Sequence, residues 1–86
     1  MARYEVRFRK SVGKDLHSIP KRDVQRIITV IDALADKPRP SQSRKLSGSE
    51  KCRLRGGVYR VLYEIQDDIL VVCVVKVGHR KDVYRI

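Results

Sequence analysis

The sequence contains few of the residues from which disulfide scaffolds, metal centres and membrane spans are built. It has two cysteines and two histidines in 86 residues, and no Cys-x-x-Cys or His-x3-His spacing occurs. We therefore expect no disulfide framework, no metal site and no cofactor. The longest apolar run, residues 69–75, is too short to cross a bilayer. Basic residues interrupt the N-terminal stretch, which is not typical of a signal peptide, so the expected location is the cytoplasm.

Acidic residues are scarce relative to basic ones. There are 10 Asp and Glu against 20 Lys and Arg, which gives a formal net charge of +10. So large an excess on a small surface predicts a polyanionic partner, either nucleic acid or an acidic protein. A membrane is not expected as a partner, because no segment combines a wide apolar face, a basic face and aromatic anchors. The 42% of apolar residues is enough for one modest core, so we expect a single domain over residues 1–86.

The first half of the chain predicts one strand and two helices. Polar and apolar residues alternate over residues 3–9, as in a half-buried strand. Ser11 is the expected cap of a short helix. The Ile19–Pro20 step separates it from a second helix that should run to about Asp36. With so short a connection, the two helices are expected to form an antiparallel hairpin.

The second half predicts a sheet. Residues 51–55 alternate in polarity, Gly56-Gly57 is a hairpin signal, and residues 58–65 read as the returning strand. Residues 69–77 are apolar on both faces, which indicates an internal strand. The predicted class is α+β: an N-terminal strand, an antiparallel helical hairpin, then a mostly antiparallel sheet of three to four strands with the helices on one face.

Basic residues concentrate on the strand face that the helices are not expected to cover. Lys51, Arg53 and Arg55 share that face of one strand. Arg60 lies in the middle of the next strand, where an apolar residue would be expected on a face that is merely buried. Like charges on neighbouring strands repel by up to roughly 1 kcal/mol, so this surface indicates either an anion-binding face or a solvated one. The sequence leaves open which of the cations pair across the turn.

Several cations and a phenol together suit the cleavage of RNA by its own 2′-hydroxyl group. That reaction needs positive charge at the phosphorane, a proton acceptor at the 2′-oxygen and a proton donor at the 5′-oxygen, and it needs no metal. Arginine holds phosphate bidentately and keeps its charge. Tyr84 in the basic C-terminal stretch would stack on a base and orient the nucleotide. No carboxylate in this set has the spacing of a general base.

Three segments of the chain resemble the RelE/ParE toxin superfamily. They are KLSG at residues 45–48, RLRGGVYRVLY at 53–63 and VGHRKDVY at 77–84. The resemblance implies a RelE-like fold and a toxin of a type II toxin–antitoxin pair. RelE-like members are ribosome-dependent, metal-independent endoribonucleases, or mRNA interferases, which cut mRNA in the A site and leave a 2′,3′-cyclic phosphate.

The resemblance also assigns expected roles to residues of this chain. In the implied catalytic set, Lys51 is the base and Arg60 stabilises the phosphorane. Arg80 assists at the leaving oxygen, and Tyr84 is the phenol that stacks on a base. The expected contacts to RNA are Arg53, Arg55, His79 and Lys81.

The resemblance implies partners as well, and it leaves more than one function open. The expected partners are the ribosome, mRNA and a cognate RelB-like antitoxin that is acidic or supplies an extended segment, giving a toxin–antitoxin hetero-oligomer. ParE-like members share the scaffold and inhibit DNA gyrase without nuclease activity, which is the alternative. The pairing of Arg80 with Tyr84 favours the RelE-like interpretation. An RNA-binding module without catalysis is a third interpretation.

Overall fold

The computed structural model describes residues 3–41, 43–46 and 51–79. Their elements in chain order are β1 (Glu5–Phe8), α1 (Lys10–His17), α2 (Lys21–Ala33), β2 (Arg44–Lys45), β3 (Lys51–Gly56), β4 (Tyr59–Gln66) and β5 (Val71–His79). The five strands form one sheet in the order β1-β5-β4-β3-β2. β1 is parallel to β5, and the other neighbouring pairs are antiparallel. The α+β class is confirmed. Neither helix in these residues has the length and hydropathy of a membrane span.

The start of α1 differs from the prediction. The helix begins at Lys10, with Arg9 at the N-cap position, so Ser11 lies inside the helix and does not cap it. The reason is the sheet: the Arg9 N–H donates to the Val74 carbonyl at 3.0 Å, so the chain leaves the sheet and enters the helix without a linker. The break before α2 is confirmed, with Pro20 at the N-cap position and the first helical residue at Lys21.

The helices cover one face of the sheet, and most of the core lies between them. Val12 of α1, Ile27 and Ile31 of α2, and Leu34 immediately after α2 are 0–2% exposed and belong to this cluster. The sheet contributes Cys52, Leu54, Val61, Tyr63, Val72, Val74 and Val77. A second, smaller cluster of Leu62 and Val75 contains no helix residue. We call the side of the sheet that carries Leu62 the open face.

A bulge in β5 lets one strand serve both clusters. The register shifts between Leu62 and Tyr63, so that Leu62 pairs with Lys76 while Tyr63 pairs with Val74. In a regular strand, residues 74 and 77 would point to opposite faces. The extra residue, Val75, places both Val74 and Val77 in the helix-covered core and itself packs against Leu62 on the other side.

Two strand starts are later than predicted. The hairpin loop consists of Gly57 and Val58, so β4 begins at Tyr59. Gly57 has a φ of 62°, which favours glycine at that position. Ile69 and Leu70 belong to the turn between β4 and β5, and β5 begins at Val71. Leu70 has a φ of 53°, and its carbonyl accepts the Glu5 N–H at 2.8 Å, so the turn also anchors β1.

A network of three side chains joins this turn to the residue before β1 and to the loop that follows α2. Arg39 donates to both oxygens of Asp67, at 2.8 and 3.2 Å, and the Tyr4 hydroxyl donates to Oδ1 at 2.5 Å. The hydrogen bonds from Arg39 and then from Tyr4 lower the pKa of Asp67 to about 2. The ionised carboxylate is therefore the form that the folded protein prefers.

We expect this network to make folding stability depend on pH at the acidic end. A carboxyl group whose pKa is lower in the folded than in the unfolded state stabilises the fold above its unfolded pKa, near 4, and this contribution disappears as the pH falls through about 2. Urea unfolding of the wild type and Asp67→Asn from pH 6 to pH 2 measures it. The difference in midpoint should be constant above about pH 5 and shrink below it. Asp68→Asn removes the same charge from the same turn and is the control; an Asp67→Asn difference independent of pH would contradict the expectation.

Candidate nucleic-acid interface

Five basic residues of β2, β3 and β4 lie on the open face of the sheet, and we call this surface the basic face. Its members are Arg44, Lys51, Arg53, Arg55 and Arg60. The register places them together: Arg53 pairs with Arg44 on one side and with Leu62 on the other, and Arg55 pairs with Arg60. Because paired residues share a face and alternate residues repeat it, all five lie on the side of Leu62.

Arg60 is the member that the fold encloses most. It is 6% exposed and is the one buried charged residue among the described residues. Its neighbour on β5 is Gly78, which has no side chain, and its neighbour on β3 is Arg55. A guanidinium in such surroundings interacts with an approaching anion through a lower dielectric than at an exposed site, so its interaction is stronger. Arg60 is therefore suited to stabilising negative charge on a phosphate.

Arg55 and Arg60 are opposed directly across two strands. Like charges in this position destabilise a sheet by up to about 1 kcal/mol. An anion that lies between the two guanidinium groups relieves this repulsion, which is the behaviour expected of a phosphate-binding surface. Arg53 is diagonal to Arg60, so its side chain also lies within reach of the same region.

Lys51 lies at the far end of β3 from Arg55. It pairs with Glu64, and the Glu64 carboxylate also accepts a hydrogen bond from Arg9 at 3.2 Å. Four residues of strand, roughly 13 Å, separate the backbone of Lys51 from that of Arg55 and hence from the level of Arg60. The two long side chains must extend toward each other to contact one phosphate. Lys51 is thus beside the Glu64 carboxylate and two residues before Arg53 on the same strand.

His79 does not join the basic face. It pairs with Tyr59, and the two rings meet edge to face with centroids 6.1 Å apart. Tyr59 packs against the helix-covered core and donates to Asp23 of α2 at 3.2 Å, so His79 lies on the side of the sheet opposite to Arg60. Partial burial and the Asp23 carboxylate raise the pKa of Tyr59, which keeps its phenol protonated at neutral pH.

The structure thus brings together half of the predicted site. Lys51, Arg53, Arg55 and Arg60 share one face, and His79 is on the other. The predicted residues Arg80, Lys81 and Tyr84 lie outside the described residues. Sequence reasoning missed Arg44, because a strand of two residues has no periodicity and only its pairing with Arg53 reveals its face.

The chemistry of the basic face is that of cations arranged on a rigid sheet. Four of its five residues are arginines, which bind phosphate through two parallel hydrogen bonds. Within residues 3–41, 43–46 and 51–79, no three His, Cys, Asp or Glu residues come together as a metal site. The face can bind a polyanion and stabilise charge that develops on it.

The comparisons with known proteins agree with this architecture. Residues 6–84 match the family model described as the ParE toxin of the type II toxin–antitoxin system parDE. Toxin RelG of Mycobacterium tuberculosis is 34% identical over 95% of this chain and 97% of its own.

Two solved structures have the same fold. In the RelE–RelB complex of Pyrococcus horikoshii, the matching chain has a TM-score of 0.81 and 32% identity, over 93% of this chain and 97% of that one. In the toxin–antitoxin complex RelBE2 of Mycobacterium tuberculosis, the values are 0.80 and 28%, over 91% and 99%. The chain therefore belongs to the RelE/ParE superfamily and is a RelE-type toxin of a type II toxin–antitoxin system.

Proposed function

We propose that this toxin is a ribosome-dependent endoribonuclease that cleaves mRNA in the A site. The observation that carries the proposal is the buried Arg60, opposed by Arg55 and bordered by Gly78, on a face lined with cations. A solvated strand face does not explain a buried guanidinium, whereas a buried guanidinium is well suited to stabilising a phosphorane. The similarity to toxins named RelG and RelE supports the same chemistry.

In the proposed reaction, the 2′-oxygen of the nucleotide attacks the adjacent phosphorus and the bond to the 5′-oxygen breaks. Lys51 accepts the proton of the 2′-hydroxyl, and Arg60 binds the non-bridging oxygens as their negative charge grows. Arg53 and Arg55 bind phosphates of the strand. The leaving 5′-oxygen takes a proton from water, and the products are a 2′,3′-cyclic phosphate and a 5′-hydroxyl. The reaction uses the RNA's own nucleophile, so no cofactor enters the proposal.

The C-terminal residues complete the proposed mechanism by resemblance to the family. Arg80 stabilises the leaving 5′-oxygen, Tyr84 stacks on a base and orients the nucleotide for in-line attack, and Lys81 contacts the backbone. The set contains no strong general acid paired with a strong general base, so the ribosome is expected to align the substrate. His79 lies on the opposite face and would contact RNA only where the RNA passes the end of β5.

The proposed partners follow from the charge and from the relatives. The two solved relatives are complexes of a toxin with its antitoxin. A net charge of +10 requires an antitoxin that is acidic or that lays an extended segment across the basic face, so we propose a toxin–antitoxin hetero-oligomer. The ribosome and mRNA as targets place the toxin in the cytoplasm.

A second candidate function rests on the family description. The matching model is named for ParE toxins of parDE systems, and ParE-like members inhibit DNA gyrase. In that case the chain binds gyrase and has no nuclease activity. The basic face would then serve as a binding surface, and Arg60 would have no reacting phosphate to stabilise.

Primer extension on a defined mRNA with programmed ribosomes separates the two functions. We expect cuts confined to the codon in the A site, and intact RNA when ribosomes are omitted. A gyrase supercoiling assay with the same preparation is the matched control and should show no inhibition. Intact mRNA together with blocked supercoiling would establish the ParE-like function, and cuts in free RNA at many positions would contradict the ribosome dependence.

A further inference from the structure

The outer edge of β5 changes its partner part of the way along the strand. β1 pairs with β5 as far as Phe8 and Val74, and the Arg9 N–H makes the last bond, to the Val74 carbonyl. The chain then enters α1, so within the described part of the chain no strand covers this edge over residues 75–79. Backbone N–H groups on a partly buried edge need another acceptor, because burying one unpaired is costly.

Asp15 of α1 supplies that acceptor. Its Oδ2 accepts the Val77 N–H at 3.1 Å, and its Oδ1 lies 3.3 Å from Nζ of Lys76. The Asp15 side chain is 14% exposed, so water competes little for these contacts. α1 is itself held in the core through Val12, which is 0% exposed. The carboxylate thus connects a fixed helix to the last part of β5.

The segment that Asp15 holds is the one that borders Arg60. Val77 pairs with Val61, and Gly78 pairs with Arg60 itself. Arg80 follows two residues later in the sequence. The bulge at Val75 interrupts the ladder just before this segment, and bulged strands bend and twist there. The bond from Asp15 lies immediately after this interruption, where it limits how far the strand end can move.

We propose that Asp15 is a positioning residue of the nuclease site. It contacts no RNA; it holds β5 so that the Gly78 backbone keeps its place beside Arg60. The inference rests on the proposed function, because it concerns the geometry of that reaction. The hydrogen bond from the Val77 N–H to Asp15 has the positioning role, because it fixes the backbone. The ion pair with Lys76 is secondary, because it holds only a side chain.

Three variants separate these contacts. Asp15→Ala removes both of them, Asp15→Asn keeps an oxygen acceptor for the Val77 N–H, and Lys76→Met removes the ion pair alone. In A-site cleavage on programmed ribosomes, Asp15→Ala should lower kcat by up to about 100-fold with KM nearly unchanged. Asp15→Asn should keep most of the wild-type kcat, and Lys76→Met should keep all of it. If Asp15→Ala does not fold, Asp15→Glu takes its place in the test. It displaces the carboxylate by one methylene at constant charge and should also lower kcat.

Backbone NMR of the same variants gives a second readout that does not depend on catalysis. The amide signals of Val77, Gly78 and His79 should shift, and exchange faster with solvent, in Asp15→Ala but not in Lys76→Met. A wild type that leaves mRNA intact would refute the proposed function alone, and the amide signals would then decide the inference. Unchanged signals and unchanged kcat in Asp15→Ala, or a loss that appears wholly in KM, would overturn it.

Discussion

Arg60→Lys is expected to reduce A-site cleavage by at least about 100-fold while leaving the fold intact. Removing one preorganised donor to a developing oxyanion costs about 10²- to 10³-fold in rate. Lysine keeps the charge but loses the planar fork that binds two phosphate oxygens at once. Arg60 is 6% exposed and lies between Arg55 of β3 and Gly78 of β5, so it is the one buried cation among the described residues. Single-turnover cleavage on programmed ribosomes measures the effect.

Arg60→Met provides the stability test for the same position. Methionine retains much of the apolar stem that packs in the sheet and removes a buried charge opposed by Arg55. Its unfolding midpoint should be unchanged or higher, because desolvating a charge destabilises a fold. Arg22→Lys, on the exposed side of α2, is the control for the exchange of arginine for lysine. Full cleavage by Arg60→Lys, or a rate loss that merely follows a loss of stability, would remove Arg60 from the mechanism.

Lys51→Arg is expected to lower kcat by about 100-fold or more. A positioned general base contributes about 10²- to 10⁴-fold, and arginine retains the positive charge but does not give up its proton. RNA binding should therefore survive while the chemical step fails. The measurement is kcat and KM for A-site cleavage at a single pH, with the wild type alongside.

The control for Lys51→Arg is the same exchange at Lys45. Lys45 pairs with Cys52, so it lies on the neighbouring strand and toward the helix-covered side. Lys45→Arg should cleave as the wild type does. The backbones of Lys51 and Arg55 are roughly 13 Å apart along β3, so Lys51→Arg also tests whether Lys51 reaches the phosphate at Arg60. If Lys51→Arg had the wild-type kcat, another group would be the base. The proposed role of Arg60 in stabilising the phosphorane would not be affected.

Polarity patterns predicted the faces of the sheet before any pairing was known. Alternation alone placed Lys51, Arg53 and Arg55 on one side of β3, and the structure shows them on the side away from the helices. The unusual position of Arg60 in an apolar strand was also visible in the sequence. These inferences succeed because the period of two is a property of the backbone and does not depend on the neighbouring strand.

The polarity pattern of the sequence did not predict which residues pair across neighbouring strands. The opposition of Arg55 and Arg60 depends on a loop of two residues, Gly57 and Val58, where the sequence indicated Gly56-Gly57. A shift of one position in that loop changes every cross-strand pair. His79 was predicted by resemblance as a contact to RNA, and the pairing with Tyr59 determines that it faces the helices.

The bulge at Val75 and the carboxylate of Asp15 had no signal of their own. An apolar run such as residues 71–75 looks the same with or without an extra residue, because both faces of the strand are buried. Asp15 lies in α1, and its acceptor role arises only because β1 ends at Phe8 and leaves the β5 edge uncovered. Both features depend on tertiary contacts between distant segments.

The parallel pairing of β1 with β5 has a consequence for the synthesis of the toxin. Tyr4 and its partner Asp67 are 63 positions apart, and the first strand cannot join the sheet until β5 has emerged. Since elongation proceeds at about 5–20 residues per second, the nascent chain spends several seconds with an incomplete sheet. During this interval Arg60 has no Gly78 beside it, so the surroundings that bury Arg60 are complete only after β5 has been made.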